Sequence, residues 1–262
     1  MNPEISFQKR WIARQFLFEG LLQELDAHFC RMGIAYMPIK GAYLICAGLA
    51  EKIRVRRMID IDILVHPDSF DAVNRYFCRC EKARLHEDKW RFEQPFYYRY
   101  RGMSVHVEIH RMVNRPERFF LPAEYLFERS ISSGKYLRLP RREDALLIAC
   151  CHTLAHLGYY LHEDVFKDML AIGECTDFDW DEFWEGAKKT GIRPFIEFLF
   201  LLHPNERLKV SASRSYGVFP GMWAAMFEKT YHKLPCWGRR MLFELPFVRQ
   251  PLRLMWQSMR DR

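Results

Sequence analysis

Apolar residues recur every three or four positions over the first thirty residues of the chain. These positions are Phe7, Trp11, Phe16, Leu21, Leu22, Leu25 and Phe29. The spacing puts them on one side of a helix, so it predicts an amphipathic helix over residues 5–32. Gly33 follows at the position where a glycine commonly ends a helix.

Between residues 34 and 139 the pattern changes to short apolar or alternating runs that predict strands. The predicted strands are residues 34–39, 60–65, 95–101, 103–110 and 136–139, with helices at 41–50 and 69–79 between them. The second strand has the clearest pattern, because apolar residues at every other position alternate with Asp60 and Asp62. Gly102 separates the third strand from the fourth, which predicts a β-hairpin.

Helical periodicity dominates after residue 142. It predicts helices at residues 143–158, 164–173, 179–190 and 194–202, and further helix broken by prolines as far as residue 262. We therefore expect an α+β protein, in which a small mixed β-sheet flanked by helices is followed by an all-helical C-terminal domain. The expected division is residues 1–140 and residues 141–262.

The composition is typical of a folded protein that carries a basic surface. Hydrophobic residues make up 49% of the 262 residues and aromatic residues 15%, which is enough to bury a core without disulfides or metals. The formal net charge is +7. Such a surface favours polyanions, and it does not choose among nucleotides, nucleic acids and acidic membranes.

Targeting and redox features favour a cytoplasmic protein without a membrane partner. The first ten residues lack the apolar core of a secretory signal, and the longest apolar stretch, residues 195–203, is too short to span a bilayer. The eight cysteines form no pair of CxxC motifs. We therefore expect reduced thiols rather than a zinc ribbon.

Asp60 and Asp62 are the first candidates for chemistry. Two residues apart in a strand, they project from the same face and place two carboxylates side by side. Such carboxylates repel each other unless a cation lies between them, and Mg²⁺ prefers oxygen ligands together with substrate phosphates. The pair therefore indicates a metal site for phosphoryl or nucleotidyl transfer, although a solvated polar strand face would give the same pattern.

The strand at residues 103–110 supplies a second polar face, with His106, Glu108 and His110 at alternate positions. If it lies beside strand 60–65, Glu108 adds a third carboxylate, which in two-metal transfer holds the catalytic metal and helps to deprotonate the acceptor hydroxyl. The same three residues would also suit zinc or iron, because imidazole and carboxylate ligands bind both metals.

Lys40 and Gly41 lie at the predicted junction of a strand and a helix. Free amides at a helix N-terminus attract phosphate, glycine lets the backbone come close, and Lys40 adds a positive charge. A Lys-Gly pair by itself is equally typical of an ordinary turn.

Other motifs carry less information. His152 and His156 are one helical turn apart, a spacing that can bind zinc, but a hydrogen bond in the core is the favoured interpretation. Asp168 is expected to be an ion partner between helices. The chain has no Gly-rich Walker loop and no GxSxG nucleophile elbow, which argues against a P-loop NTPase and against an α/β-hydrolase.

The order and spacing of these motifs resemble the uncharacterised nucleotidyltransferase family of the DNA polymerase beta superfamily. The matching residues are Lys40 and Gly41, then Arg56 and Met58 ahead of Asp60 and Asp62, then His106, Glu108 and His110. The resemblance continues through residues 139–152, Asp168 and Asp179–Trp180, so it covers residues 34–205. Residues 51–55 depart from it, because they lack the family's aromatic-and-proline turn.

The resemblance implies a reaction and assigns roles to residues. The implied catalytic and metal-binding residues are Asp60, Asp62 and Glu108, and the implied nucleotide-binding residues are Lys40, Gly41 and Arg56. The implied cofactor is a pair of Mg²⁺ ions, with Mn²⁺ as a substitute. The reaction would transfer a nucleoside monophosphate from an NTP to a hydroxyl, with release of pyrophosphate. ATP is the first candidate for the NTP. The acceptor could be a small molecule, a peptide, a protein or an RNA end.

Two other functions stay open from the sequence. One is a catalytically inactive module of the same fold that binds nucleic acid through its basic charge, and salt-dependent RNA binding without NTP consumption would favour it. The other is a metal-dependent hydrolase built on His106, Glu108 and His110, and bound zinc without NTP dependence would favour that.

Overall fold

The structure is a computed structural model that describes residues 3–49, 58–86, 92–113, 121–156 and 163–202. The helices are α1 (Pro3–Met32), α2 (Lys40–Cys46), α3 (Phe70–Cys78), α4 (Ala123–Arg129), α5 (Arg142–His156), α6 (Glu163–Gly173), α7 (Trp180–Lys189) and α8 (Arg193–Leu202). The strands are β1 (Tyr36–Ile39), β2 (Asp60–Val65), β3 (Ala83–Leu85), β4 (Glu93–Tyr100), β5 (Met103–His110), β6 (Ile131–Ser132) and β7 (Arg138–Leu139), and a 3-10 turn at Pro67–Ser69 precedes α3.

Most of the predicted elements are confirmed to within a few residues. The long first helix, the strand with the two aspartates and the hairpin all form where the periodicity predicts them. Gly33 ends α1 with a φ of 68°, which glycine adopts at little cost. The patterns do not predict β3 or α4, because such short elements show no full period. The predicted helical tail beyond residue 202 lies outside the described residues.

The larger sheet has the strand order β1-β2-β5-β4-β3. β2 and β5 run parallel and the other neighbours run antiparallel, so the sheet is mixed, as expected. The two-residue loop between β4 and β5 consists of Arg101 and Gly102, at φ values of 48° and 77°. A tight hairpin turn with two positive φ angles matches the twist of the strands, and it fixes the register in which Tyr100 pairs with Met103.

The two faces of the sheet pack against different helices. One face, which includes Ile61 and Val107, forms an apolar cluster with α1 and α3. The opposite face, which includes Met37, Ile39 and Leu64, forms a second cluster with α2 and with α4–α8. Among the described residues, β3, β4 and β5 contribute nothing to this second cluster. The described helices therefore pack on the β1–β2 half of that face, and its other half carries polar residues.

The helices after residue 140 join the sheet through α2. Buried residues of α5, including Leu146 and Leu147, share one apolar cluster with Tyr43 and Leu44 of α2, and α5 and α2 are in direct contact. The expected α+β class, with helices flanking a mixed sheet, is confirmed. The division into domains at residue 140 stays a prediction.

Two further features concern the helices and the cysteines of the described residues. None of these helices is both long enough and apolar enough to cross a membrane. The seven described cysteines are free thiols. Cys150 and Cys151 are buried in α5, where burial raises the pKa of both thiols above the usual range and so keeps them protonated.

A buried histidine ties α1 to α3 and β4. His28 is 6% exposed, and its two ring nitrogens lie 2.6 Å from Tyr76 Oη and 2.8 Å from Tyr98 Oη. Tyr98 donates its single hydroxyl proton to Glu24 Oε1 at 2.7 Å. Its hydroxyl oxygen must then accept from His28 Nε2, which assigns the proton to that nitrogen. Burial lowers the pKa of His28, which agrees with a neutral ring.

Tyr98→Phe tests this arrangement, because it leaves His28 Nε2–H buried without an acceptor. We expect a loss of about 1–3 kcal/mol in the free energy of unfolding, measured by urea denaturation. The matched control is Tyr97→Phe on the same strand, where the side chain is 41% exposed and the expected change is within about 0.5 kcal/mol. Equal losses in the two variants would contradict the assigned hydrogen bonds.

Candidate functional site

The parallel pairing of β2 with β5 brings the polar positions of both strands together. Asp60 lies beside His106 in the register, and Asp62 lies beside Glu108. Residues paired in this way project from the same face, and His110 follows two residues later on that face. The two polar strand faces that the sequence predicts therefore form one continuous surface, which we call the carboxylate surface.

Asp62 is the most enclosed acid of the carboxylate surface, with 2% of the residue exposed. Its Oδ1 accepts hydrogen bonds from Lys40 Nζ at 2.7 Å and from His110 Nε2 at 2.9 Å. His110 Nε2 also lies 3.3 Å from Glu108 Oε2. A buried carboxylate is costly unless it is paired and hydrogen-bonded, and here an ammonium and an imidazole supply both.

The hairpin adds Glu93, which the sequence motifs do not single out. Glu93 pairs with His110 across the hairpin, and its Oε2 lies 3.3 Å from His110 Nδ1, although the two are not aligned for a hydrogen bond. The missed signal is the turn: a two-residue loop at Arg101 and Gly102 places Glu93 opposite His110 by counting back along both strands.

Burial and charge together set the protonation of the buried network. Burial raises the pKa of Asp62, but Lys40 and His110 outweigh that effect and hold the pKa well below its usual range. Burial lowers the pKa of Lys40, but Asp62 and Glu108 raise it above its usual range. Burial also lowers the pKa of His110, yet the hydrogen bonds to Asp62 and Glu108 raise it to about 9. Near neutral pH the network therefore holds the Lys40 ammonium, the His110 imidazolium and the ionised carboxylate of Asp62.

The backbone at the start of α2 is strained at Lys40. Lys40 has a φ of 54°, a left-handed conformation that costs a residue with a side chain about 1–3 kcal/mol. Gly41, which the sequence suggests for a close backbone approach, is buried in the first turn of α2 and has no positive φ. The unusual conformation thus falls on the lysine, whose ammonium is anchored to Asp62.

Two sets of side chains on the carboxylate surface are each close enough to share a metal ion. One set is Asp60, His106 and Glu108, and the other is Asp62, Glu108 and His110. Within each set the ligand atoms all lie within 4.8 Å of one another. Glu108 belongs to both sets, so the three acids proposed as metal ligands from the sequence do converge. Their catalytic role stays a prediction.

The charges and donor atoms of this surface suit a divalent cation. Its described acids are Asp60, Asp62, Glu93 and Glu108, and Lys40 and His110 contact some of them. Four carboxylates thus lie close together on one face, and carboxylate oxygens are the ligands that Mg²⁺ and Mn²⁺ prefer. The residues present therefore fit the cation that the motifs imply.

The sequence also singles out Arg56, His152, His156 and Asp168. Arg56, expected to bind the nucleotide, is outside the described residues, as is the side chain of His156. His152 lies half-buried on α5 and Asp168 is buried on α6. Neither of the last two belongs to the two metal-capable sets of the described residues.

The contact between Lys40 and Asp62 should dominate the stability of this region. Lys40→Met leaves Asp62 without its ammonium, and we expect the free energy of unfolding to fall by about 3–5 kcal/mol. Adding Asp62→Asn should recover part of this loss, so that the double variant loses less than the sum of the single ones by about 1–3 kcal/mol. Urea denaturation of all three variants measures this coupling.

Lys82→Met is the matched control for that cycle. Lys82 pairs with Glu24 at 2.6 Å, but its side chain is 55% exposed, and exposed pairs contribute about 1 kcal/mol or less. Strict additivity of Lys40→Met and Asp62→Asn, or a larger loss in the control, would contradict the buried ion pair.

His110 makes the stability depend on pH. Its pKa is raised from 6.5 to about 9 in the folded chain, so its stabilising contribution is complete below pH 6.5 and is lost as the pH rises towards 9. We expect the free energy of unfolding to decline over this window in the wild type and to decline less in His110→Gln. Parallel pH profiles of the two proteins would contradict a protonated His110.

Comparison with known proteins adds to this geometry. A family described as "Uncharacterised nucleotidyltransferase" matches residues 7–205, which is well over half of the chain. No curated protein and no solved structure matches this chain. The match covers α2 and β1–β5, and so every element that supplies a side chain to the carboxylate surface or carries Lys40. The chain therefore belongs to the uncharacterised nucleotidyltransferase family.

Proposed function

We propose that this protein transfers a nucleoside monophosphate from an NTP, for which ATP is our first choice, to an acceptor hydroxyl. The observation that carries the proposal is the convergence of Asp60, Asp62 and Glu108 on one face of β2 and β5. Lys40 contacts Asp62, one of these acids, and offers a cation for phosphate. Family membership supports the same class of reaction.

The three acids would hold divalent cations, Mg²⁺ in the first place and Mn²⁺ as a substitute. The carboxylate oxygens of the two overlapping sets would hold two ions that share Glu108, because Glu108 belongs to both sets. When bound, such ions neutralise phosphate charge and lower the pKa of a coordinated hydroxyl. Asp60 and Glu108 are less enclosed than Asp62, so these two carboxylates offer the more accessible oxygens.

Lys40 would contact the triphosphate. Its ammonium is almost enclosed, with 10% of the side chain exposed, and it bonds to Asp62. A bound triphosphate would offer Lys40 a second anion beside Asp62. We propose that Gly41 and Arg56 also contact the phosphates.

The reaction can be written with its atoms and electrons balanced. The acceptor oxygen forms a bond to the α-phosphorus of the NTP, and the bond from that phosphorus to the oxygen bridging to the β-phosphorus breaks. Pyrophosphate leaves with the bonding electron pair. The hydroxyl proton passes to the Glu108 carboxylate and then to solvent. We assign this role to Glu108 because it is the acid that belongs to both ligand sets.

The protonation of His110 argues against a zinc hydrolase built on the three alternating residues of β5. An imidazolium has no lone pair to offer, and His110 Nε2 already donates to Asp62. With the pKa of His110 raised to about 9, the ring is a poor zinc ligand near neutral pH. An inactive nucleic-acid-binding module would have no need of four acids around a buried lysine.

Asp60→Asn and Glu108→Gln test the proposal, because each removes one carboxylate charge and preserves the shape of the side chain. We expect each to lower metal-dependent NTP consumption at least about a hundredfold. Release of labelled pyrophosphate from each NTP, with Mg²⁺ and a host cell extract as the source of acceptor, measures the rate. Each inactive variant should unfold at the same urea concentration as the wild type.

Asp68→Asn is the matched control, since Asp68 follows β2 but its side chain is 90% exposed. It should retain wild-type turnover. Full turnover in Asp60→Asn, or NTP consumption that does not depend on a divalent cation, would reject the proposed function.

A further inference from the structure

The carboxylate surface continues sideways across the sheet as a row of four paired residues. Asp60 of β2 pairs with His106 of β5, His106 pairs with Tyr97 of β4, and Tyr97 pairs with Arg84 of β3. Paired residues share a face, so all four side chains project from the same side of the sheet. At a strand spacing of about 4.8 Å, Tyr97 lies about 10 Å from Asp60.

The outer part of this face is open, in contrast to the part under the helices. Tyr97 is 41% exposed, and Arg84, Arg99 and Ser104 are exposed beside it. Arg99 pairs with Ser104, two residues along from Tyr97, and therefore belongs to the same face. We call this set of exposed side chains on β3–β5 the open half-face.

Three rings beside the open half-face, including Tyr97 itself, are in mutual contact. The ring centroids of His86 and Tyr97 lie 5.1 Å apart, those of Tyr97 and His106 lie 5.6 Å apart, and those of His86 and His106 lie 5.7 Å apart. His106 Nδ1 in turn lies 3.4 Å from Glu108 Oε1. The ring cluster is therefore continuous with the metal-capable acids.

The charges of the open half-face favour an anionic ligand. Neither Arg84 nor Arg99 forms an ion pair with a described residue, and beyond Glu93 and Glu108 the described residues of β3–β5 place no acid on this face. Exposed arginines beside an exposed aromatic ring are the combination that binds single-stranded nucleic acid. The arginines attract phosphates, and the ring stacks on a base.

We propose that the open half-face binds the 3′ end of a single-stranded nucleic acid and presents its terminal hydroxyl to Glu108. This inference rests on the proposed function, and it names the acceptor. Lys40, the phosphate ligand, lies on the β1 side of Asp62, whereas the ring cluster lies on the β4 side of Glu108. The NTP phosphates and the acceptor would thus approach the acids from opposite sides.

The spacing of the side chains agrees with a nucleotide chain lying across the strands. A base stacked on Tyr97 lies about two strand spacings, or about 10 Å, from Asp60, a distance that a ribose and a phosphate bridge. Arg84 and Arg99 flank Tyr97 on the next strand and along its own strand. A peptide acceptor would supply neither regular rings nor regular negative charge, so nucleic acid is the better match.

Binding of fluorescently labelled single-stranded RNA, single-stranded DNA and duplex to the full chain tests the proposal, without NTP or divalent cation and over a series of salt concentrations. We expect the single strands to bind more tightly than the duplex. Tyr97→Ala should weaken binding about tenfold, while Tyr97→Phe keeps the ring and the affinity. Arg84→Gln with Arg99→Gln should lower the salt slope by about two.

The matched control is Arg75→Gln with Arg79→Gln, an exposed pair at the C-terminal end of α3, which removes the same charge from the opposite side of the sheet. We expect this control to change the dissociation constant by no more than about twofold, because distant surface charges are largely screened by salt. The comparison of RNA with DNA identifies which strand the surface prefers, and preference for either supports the proposal.

Equal weakening by the control pair, wild-type affinity in Tyr97→Ala, or tighter binding of duplex would overturn the proposal. Failure of the proposed function would look different. A protein that binds single strands through the open half-face but consumes no NTP would reject nucleotidyl transfer and retain the surface.

Discussion

A carboxylate inside a protein is costly unless cations and hydrogen bonds replace the water it loses, and Asp62 meets that condition through Lys40 and His110. These contacts join the start of α2, the middle of β2 and the end of β5, so three separate segments depend on one oxygen atom. The strained φ of Lys40 is tolerated because its ammonium is held there. Without this network, the acids of β2 and β5 would repel one another within a largely buried sheet.

The same sheet provides both the stability and the site, because its two faces differ. One face is apolar from β2 to β4 and packs against α1 and α3. Among the described residues, helices cover the other face over β1 and β2, and the acids lie where that cover ends. Glu108 and Asp60 are therefore held by a rigid parallel pair of strands yet remain open to a substrate on the side of Tyr97. A site at such a boundary combines fixed geometry with access, which group transfer requires.

Local patterns were sufficient to predict most of the elements but not the long-range contacts. Alternation at Asp60 and Asp62 predicts β2, and the same rule predicts the polar face of β5, because each rests on a period of two residues. The parallel pairing of these strands is set by tertiary packing. From the sequence alone, the proximity of Asp62 and Glu108 could therefore be predicted only on the assumption that the two strands are neighbours. Glu93 could have been found from the hairpin turn. The left-handed backbone of Lys40 could not, because conformational preference favours Gly41 at such a junction.

The claim that these acids form one cation site is tested most directly by crystals of the full chain grown with Mn²⁺ and a non-hydrolysable ATP analogue. An anomalous difference map locates the manganese independently of any assumption about the reaction. The account predicts peaks within about 2.0–2.6 Å of carboxylate oxygens of Asp60, Asp62 and Glu108, with the phosphates on the side of Lys40. Manganese bound away from these carboxylates, with Lys40 still joined to Asp62 and the nucleotide elsewhere, would contradict it.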